Sequence, residues 1–191
     1  MNIDQIKAIQ TKIGTEPDGH FGPKSITAAV EYLISKMPKP NPWPGTSQKQ
    51  LREFYGEPGD ESNIVHLDVS PDLGIRYDGS LVTRIRCHKK VAESLHRILV
   101  KVATSIYKEI LAEYAGCFND RPMRGGTLPS LHAWGAAIDL HPDGNENKTH
   151  WPDAAIMPLE VMEIFAEEGW TSAGVFWSRD AMHMQATDPQ K

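Results

Sequence analysis

The chain is poor in features that mark several large protein classes. It has only two cysteines, Cys87 and Cys117, in 191 residues. Two cannot build a disulfide scaffold, and with no CxxC there is no pattern for thiolate zinc ligation. They could pair only if the fold brings them together. No apolar run is long enough to cross a bilayer, which argues against membrane insertion. The opening residues, MNIDQIKAIQ, lack a basic segment followed by an apolar one, so they do not read as a signal peptide. The expectation is a protein made in a cytoplasm and kept there until something releases it. Cationic residues are outnumbered 20 to 25, for a net charge of -5. That balance offers nucleic acid no general attraction and leaves anion binding to local groups. There is no GxSxG, no HExxH and no glycine-rich phosphate loop, so serine hydrolase, helical zinc-protease and nucleotide chemistry lack support.

What is present reads as an ordinary soluble globular chain, 40% hydrophobic and 24% charged. Its length allows one domain with a real core plus a small appendage. Ile3, Ile6, Ile9 and Ile13 recur at helical spacing and Gly14 ends the run. After a turn-rich EPDGHFGPKS, a second helix over Ser25–Lys36 places Ile26, Ala29, Val30 and Leu33 on one face. Residues 1–36 thus form a helical hairpin too small for a large core of its own. Pro38, Pro40, Pro42 and Pro44 then prevent helix and favour an extended spacer, so 37–50 reads as a linker and 51–191 as the main domain.

Within that domain, Asn63–Val69 and Leu73–Tyr77 read as short strands. Val91, Leu95, Ile98, Val102, Ile106 and Ile110 predict one long amphipathic helix over Ile85–Tyr114, stopped by Gly116. Ala136–Leu140 predicts a strand, Pro158–Glu168 a helix ended by Gly169, and Ala181–Gln185 a final strand. The order implies an α+β fold, a small antiparallel sheet with flanking helices, plus the N-terminal hairpin.

Of eight histidines, most have no partner at a diagnostic spacing. His88 and His96 read as part of a solvated basic face on the long helix. His20, His66, His141 and His150 read as surface or loop residues. His132 and Asp139 differ, because Gly135, Ala136 and Ala137 between them would let backbone stretches approach around an ion. With His183 from a distant strand they make three N/O ligands and one open position, the arrangement of a catalytic zinc. The spacing alone fits two hydrogen-bonded core histidines and a turn or cap aspartate more readily than a metal site. Asp180, three residues before His183, could take a proton from water activated by the metal and return it to a leaving amine.

At these residues Ser130–Asp139 (SLHAWGAAID) resembles the SxHxxGxAxD signature of LAS-type zinc peptidases, which include D-alanyl-D-alanine carboxypeptidases and phage L-alanyl-D-glutamate endolysins. All five signature positions match. DAMHMQ at Asp180–Gln185 resembles the endolysin-like C-terminal signature, with Met184 and Gln185 in place of the WHxxH ending of some carboxypeptidases. The resemblance implies zinc held by His132, Asp139 and His183, with Asp180 as catalytic base. CFNDRPMRGG resembles the family's arginine-bearing strand. Arg121 and Arg124 are both candidates there, Arg121 as the catalytic strand position and Arg124 for substrate binding, and Ser130 would contact substrate or support the ligands. The N-terminal IKAIQTKIG…PDGHFGPKS resembles a short peptidoglycan-binding module, matching DGxFGPxT except that Ser25 replaces Thr. Wall binding and a purely structural hairpin both stay open for it.

The resemblance thus implies a monomeric phage-type endolysin that cuts the stem peptide of bacterial peptidoglycan, at the L-Ala–D-Glu bond, after waiting in the host cytoplasm. A D-alanyl-D-alanine carboxypeptidase is the alternative within the family. A non-catalytic wall-binding protein is the alternative outside it, and the intact Asp180 argues against that one.

Overall fold

A computed structural model describes residues 1–191 as a mixture of helices and small antiparallel sheets. The N-terminal hairpin forms as its periodicity predicts. Helix α1 (Ile3–Lys12) begins with a capping box in which Asn2 accepts from Gln5 N while the Gln5 side chain accepts from Asn2 N. Helix α2 (Pro23–Lys36) starts with proline, whose missing N–H costs nothing in a first turn. Their buried face carries Ile6, Ile9, Ala29 and Leu33, and these share one continuous core with the rest of the chain. Phe21 packs edge-on to Trp151 at 5.4 Å. Lys12 bridges Glu160 and Glu163, and Tyr32 donates to Glu163, so polar contacts ring the apolar seam.

The proline-rich stretch is extended, and it is also tied down. Trp43 is buried, its indole N–H donates to Glu168 O, and its ring meets Trp170 edge-on. Helix α3 (Gln48–Tyr55), unrecognised in the sequence, follows at once with Ser47 as its cap. Leu51 and Tyr55 supply its buried face, spaced one turn apart.

Strands β1 (Ile64–Asp68) and β4 (Arg84–His88) pair antiparallel, and β2 (Arg76–Tyr77) with β3 (Ser80–Leu81) makes a small hairpin between them. The long helix expected over Ile85–Tyr114 does not form. Its first residues instead alternate as a strand, with Ile85 and Cys87 buried and Arg86 exposed. Helix α4 (Ala92–Ala103) ends where Thr104 and Ser105 turn their hydroxyls onto Val100 O and Val102 O, offering the backbone an alternative to helix. Ile106, which periodicity would bury, is 86% exposed. His88 is also not on a solvated face. It ends β4, is buried, and its Nε2 lies 2.9 Å from Tyr55 O. Cys87 and Cys117 are both free and buried, and burial pushes the Cys87 thiol up to about 12.

The sheet that carries the site runs β5 (Tyr114–Gly116), β6 (Ala137–Leu140), β8 (His183–Gln185), β7 (Thr171–Ser172), all antiparallel. Helix α5 (Leu159–Glu167) covers it with Val161, Met162 and Phe165 buried, and short α6 (Ala173–Phe176) links β7 to the site loop. No helix is long and apolar enough to cross a membrane.

Candidate metal centre

Register brings the three candidate ligands together. Strands β6 and β8 pair so that Asp139 stands directly opposite His183. His132 arrives from a 3-10 turn, Leu131–Trp134, capped by Ser130, whose Oγ accepts from His132 N at 3.4 Å. The turn ends at Gly135 in a left-handed conformation (φ 64°), where a Cβ would lie 2.8 Å from His88 N. The small residue therefore serves a close approach to β4, where His88 N donates to Gly135 O, and not an approach around an ion as the spacing suggested.

Three atoms converge. Asp139 Oδ1 is 3.2 Å from His132 Nε2 and 3.0 Å from His183 Nδ1, and the two nitrogens are 3.2 Å apart. Hydrogen bonds alone do not explain this triangle, because two ring nitrogens that face one acceptor and each other cannot all share protons favourably. Ligands at the zinc distances of about 2.0–2.1 Å would sit about 3.3 Å apart in a tetrahedral set. The observed edges match that spacing, and the donor set of two imidazoles and a carboxylate suits a zinc-like ion, so the residues fit the metal implied by the sequence.

Each imidazole is held from behind. His132 Nδ1 donates to Cys117 O at 2.6 Å, which leaves its Nε2 lone pair facing inward. His183 Nε2 faces Gln185 Oε1 at 3.1 Å, and the Gln185 amide donates onward to Thr187 Oγ1. Thr187 in turn meets Thr171 on β7. Gln185, seen in the sequence only as a departure from WHxxH, is the residue that sets the His183 tautomer. Burial works against the Asp139 charge, but the two imidazoles set against its carboxylate outweigh that and hold the carboxyl well below the usual range. Burial likewise disfavours a charged His183, yet its bond to Asp139 outweighs this and the imidazole is raised above its ordinary 6.5.

Asp180 stands at the edge of the group. Burial pushes its carboxyl up from the ordinary 3.8, the Asp139 charge adds to that, and the charges of His183 and Arg124 oppose it. One carboxylate oxygen, Oδ1, is buried without a partner. Its backbone is left-handed (φ 59°), as is that of Ser178 (φ 56°), a conformation costing non-glycine residues of order 1–3 kcal/mol each. The strain is held by the opposite loop. Trp151 N and His150 Nδ1 both bond Ser178 O, and His150 bridges Arg179. That loop is organised by buried Asn145, which donates to His141 O and accepts from Ile156 N and Met157 N.

A cavity of about 570 Å³ opens over the metal group and includes Arg121, Arg124, Ser130 and Asp180 in its walls. Arg121 is not on a strand as expected. It lies in the loop after β5, with its guanidinium on Pro122 O at 3.2 Å. Sequence reasoning missed Trp177, Arg179, Asn147 and Gln48, which also line the cavity. Trp177 is 46% exposed and its ring centroid lies 6.1 Å from that of His183. Only the adjacency of Trp177 and Arg179 to the DAMH segment could have pointed to them.

Residues 124–186 match a family model described as D-alanyl-D-alanine carboxypeptidase. The match takes in His132, Asp139, Asp180 and His183 and leaves everything before Arg124 outside it. It supports a peptidase, and with it the reading of the His/Asp/His group as a metal site. No curated protein and no solved structure matches the chain.

Proposed function

We propose that the protein is a zinc-dependent peptidase of the endolysin type, hydrolysing the stem peptide of bacterial peptidoglycan at the L-Ala–D-Glu bond. The observation that carries this reading is the triangle of His132 Nε2, Asp139 Oδ1 and His183 Nδ1, with the partnerless oxygen of Asp180 beside it in an open cavity. His132, Asp139 and His183 would hold the zinc. Bound there, it would lower the pKa of water and polarise the scissile carbonyl.

The chain's own residues do the rest. Asp180 takes the proton of the attacking water. Its burial raises its basicity above that of an ordinary carboxylate, which suits proton transfer to a peptide nitrogen. The same carboxyl then returns the proton to the leaving amine. Arg121 or Arg124 faces the developing oxyanion or a substrate carboxylate, a task that fits a group that stays charged and donates in a planar fork. Ser130 Oγ accepts from His132 N, which leaves its hydroxyl hydrogen free for a substrate carbonyl. The strained Ser178–Asp180 turn holds the base in place before substrate arrives.

A carboxypeptidase that removes terminal D-alanine is the second reading, favoured by the description of the matching family model. Mass spectrometry of purified peptidoglycan digested with the zinc-loaded protein separates the two. New amino termini on D-glutamate support the endolysin, free D-alanine alone supports the carboxypeptidase, and no released amine would overturn both.

A further inference from the structure

The aromatic residue of the DGHFGP turn does not face solvent. Phe21 is 9% exposed, and its ring meets the Trp151 ring edge-on at 5.4 Å. Close by in the fold, Met1 N lies 3.1 Å from Pro152 O and 3.4 Å from Ala155 O. Both contacts fall on the loop that carries Asn145 and His150. The hairpin does not need them to stay docked. Lys12 and Tyr32 tie it to Glu163 on α5, and Ile6, Ile9 and Leu33 lie in the shared core. The contact at Trp151 therefore has a consequence separate from attachment.

That loop grips the Asp180 turn on both sides. Before Asp180, Trp151 N donates to Ser178 O at 3.2 Å, and His150 Nδ1 lies 3.1 Å from the same oxygen. After it, Met182 N donates to Asn145 O at 3.2 Å. Asn145 is itself fixed, since its buried side chain is shared among His141 O, Ile156 N and Met157 N. Ser178 and Asp180 hold left-handed backbones between these grips, and such conformations persist only where the surroundings enforce them. Trp151 joins the two halves of this arrangement. Its backbone holds the turn, its ring receives Phe21, and its indole N–H donates to Met157 O at 2.8 Å, within the same loop. A ring that shifted would carry the loop with it.

We propose that Phe21 is a positioning residue for the reaction: docked on Trp151, it fixes the loop that holds the Asp180 turn at Ser178 and Met182. The N-terminal hairpin is thereby part of the catalytic apparatus, although Phe21 takes no part in the cavity wall. The inference rests on Asp180 acting as the base for its effect on turnover. Its effect on the loop is measurable without turnover.

The test compares Phe21→Ala, Phe21→Tyr and Leu33→Ala in the full-length, zinc-loaded protein, each below its melting temperature. Misplacing reacting groups by about 1 Å can cost about 10²-fold, so Phe21→Ala should lower kcat on a soluble stem peptide by about 10- to 100-fold. KM should change little, because Phe21 does not touch the cavity. Phe21→Tyr keeps the ring edge and should restore most of kcat. If Phe21→Ala does not fold, Phe21→Leu takes its place, with a smaller fall in kcat expected. Leu33→Ala removes a fully buried side chain of the same hairpin and should cost stability without lowering kcat. An unchanged kcat in the folded Phe21 variants would overturn the proposal. So would an equal fall in Leu33→Ala, which would show that the hairpin acts through stability alone. Amide hydrogen exchange gives the second readout. The amides of Trp151 and Met182 should lose more protection in Phe21→Ala than in Leu33→Ala. If the wild type cuts no peptide, exchange decides alone: selective loss at these two amides upholds the brace while the peptidase reading falls, and unchanged protection refutes it.

Discussion

Replacing Asp180 by asparagine removes one charge and one proton acceptor while keeping the side chain's size and shape. Asparagine is among the few residues that tolerate the left-handed backbone found there (φ 59°), so the Ser178–Asp180 turn should persist. The ionised carboxyl is a cost to the fold, because burial raises it above its ordinary 3.8 and one oxygen lacks a partner. A carboxyl raised in the folded state destabilises once it ionises, and that cost disappears as pH falls below the ordinary carboxylate value. At neutral pH the variant should therefore melt at the same temperature as the wild type or higher, with any gap closing under acid conditions. Turnover should move the other way. Loss of a general base costs about 10²–10⁴-fold, or about 3–5 kcal/mol on the barrier. The assay pairs amine release from soluble stem peptide with zinc content and thermal melts across pH. Near-wild-type turnover by a folded, metal-loaded Asp180→Asn protein would remove Asp180 from the mechanism. A clear drop in melting temperature would refute the argument about the partnerless oxygen.

Gln185→Ala should leave the fold intact but weaken metal binding about 10–100-fold, since the His183 tautomer loses its partner; competition with a chelator measures it. Metal uptake should be proton-linked, because His183 in the metal-free protein is raised above 6.5, so affinity should fall steeply as pH drops through that region; a pH-independent affinity would contradict the ligand assignment. Leu33→Ala, in the N-terminal hairpin and fully buried, should cost about 2–5 kcal/mol in denaturant melts while kcat on a soluble peptide stays unchanged. Deleting residues 1–36 should destabilise the remaining chain and lower activity on wall and soluble peptide alike, because Ile6, Ile9, Ala29 and Leu33 would leave an apolar face uncovered. A stable truncation that loses only wall binding would show instead that the hairpin is a targeting module.

The sequence by itself determined the chemistry available at the site. Two short segments name His132, Asp139, Asp180 and His183 as candidates for metal ligation and proton transfer, and they do so through their resemblance to a family signature, since the spacing alone also fits hydrogen-bonded core residues. It also determined the elements whose signals are local: the isoleucine spacing of α1, the proline-led start of α2, and the strands around Asp139 and His183. Tertiary structure decided what depends on residues distant in sequence. Periodicity over Ile85–Tyr114 looked helical throughout, yet pairing with β1 drew Arg84–His88 into a strand and hydroxyl-to-carbonyl bonds stopped α4. The partner of His132 is a backbone carbonyl at Cys117, and backbone groups carry no signature in a sequence. Gln185 and Asn145 are common residue types whose roles arise only from where folding places them. The register that sets Asp139 against His183 comes from burying both faces of β6 and β8, a demand of the whole core and not of either strand alone.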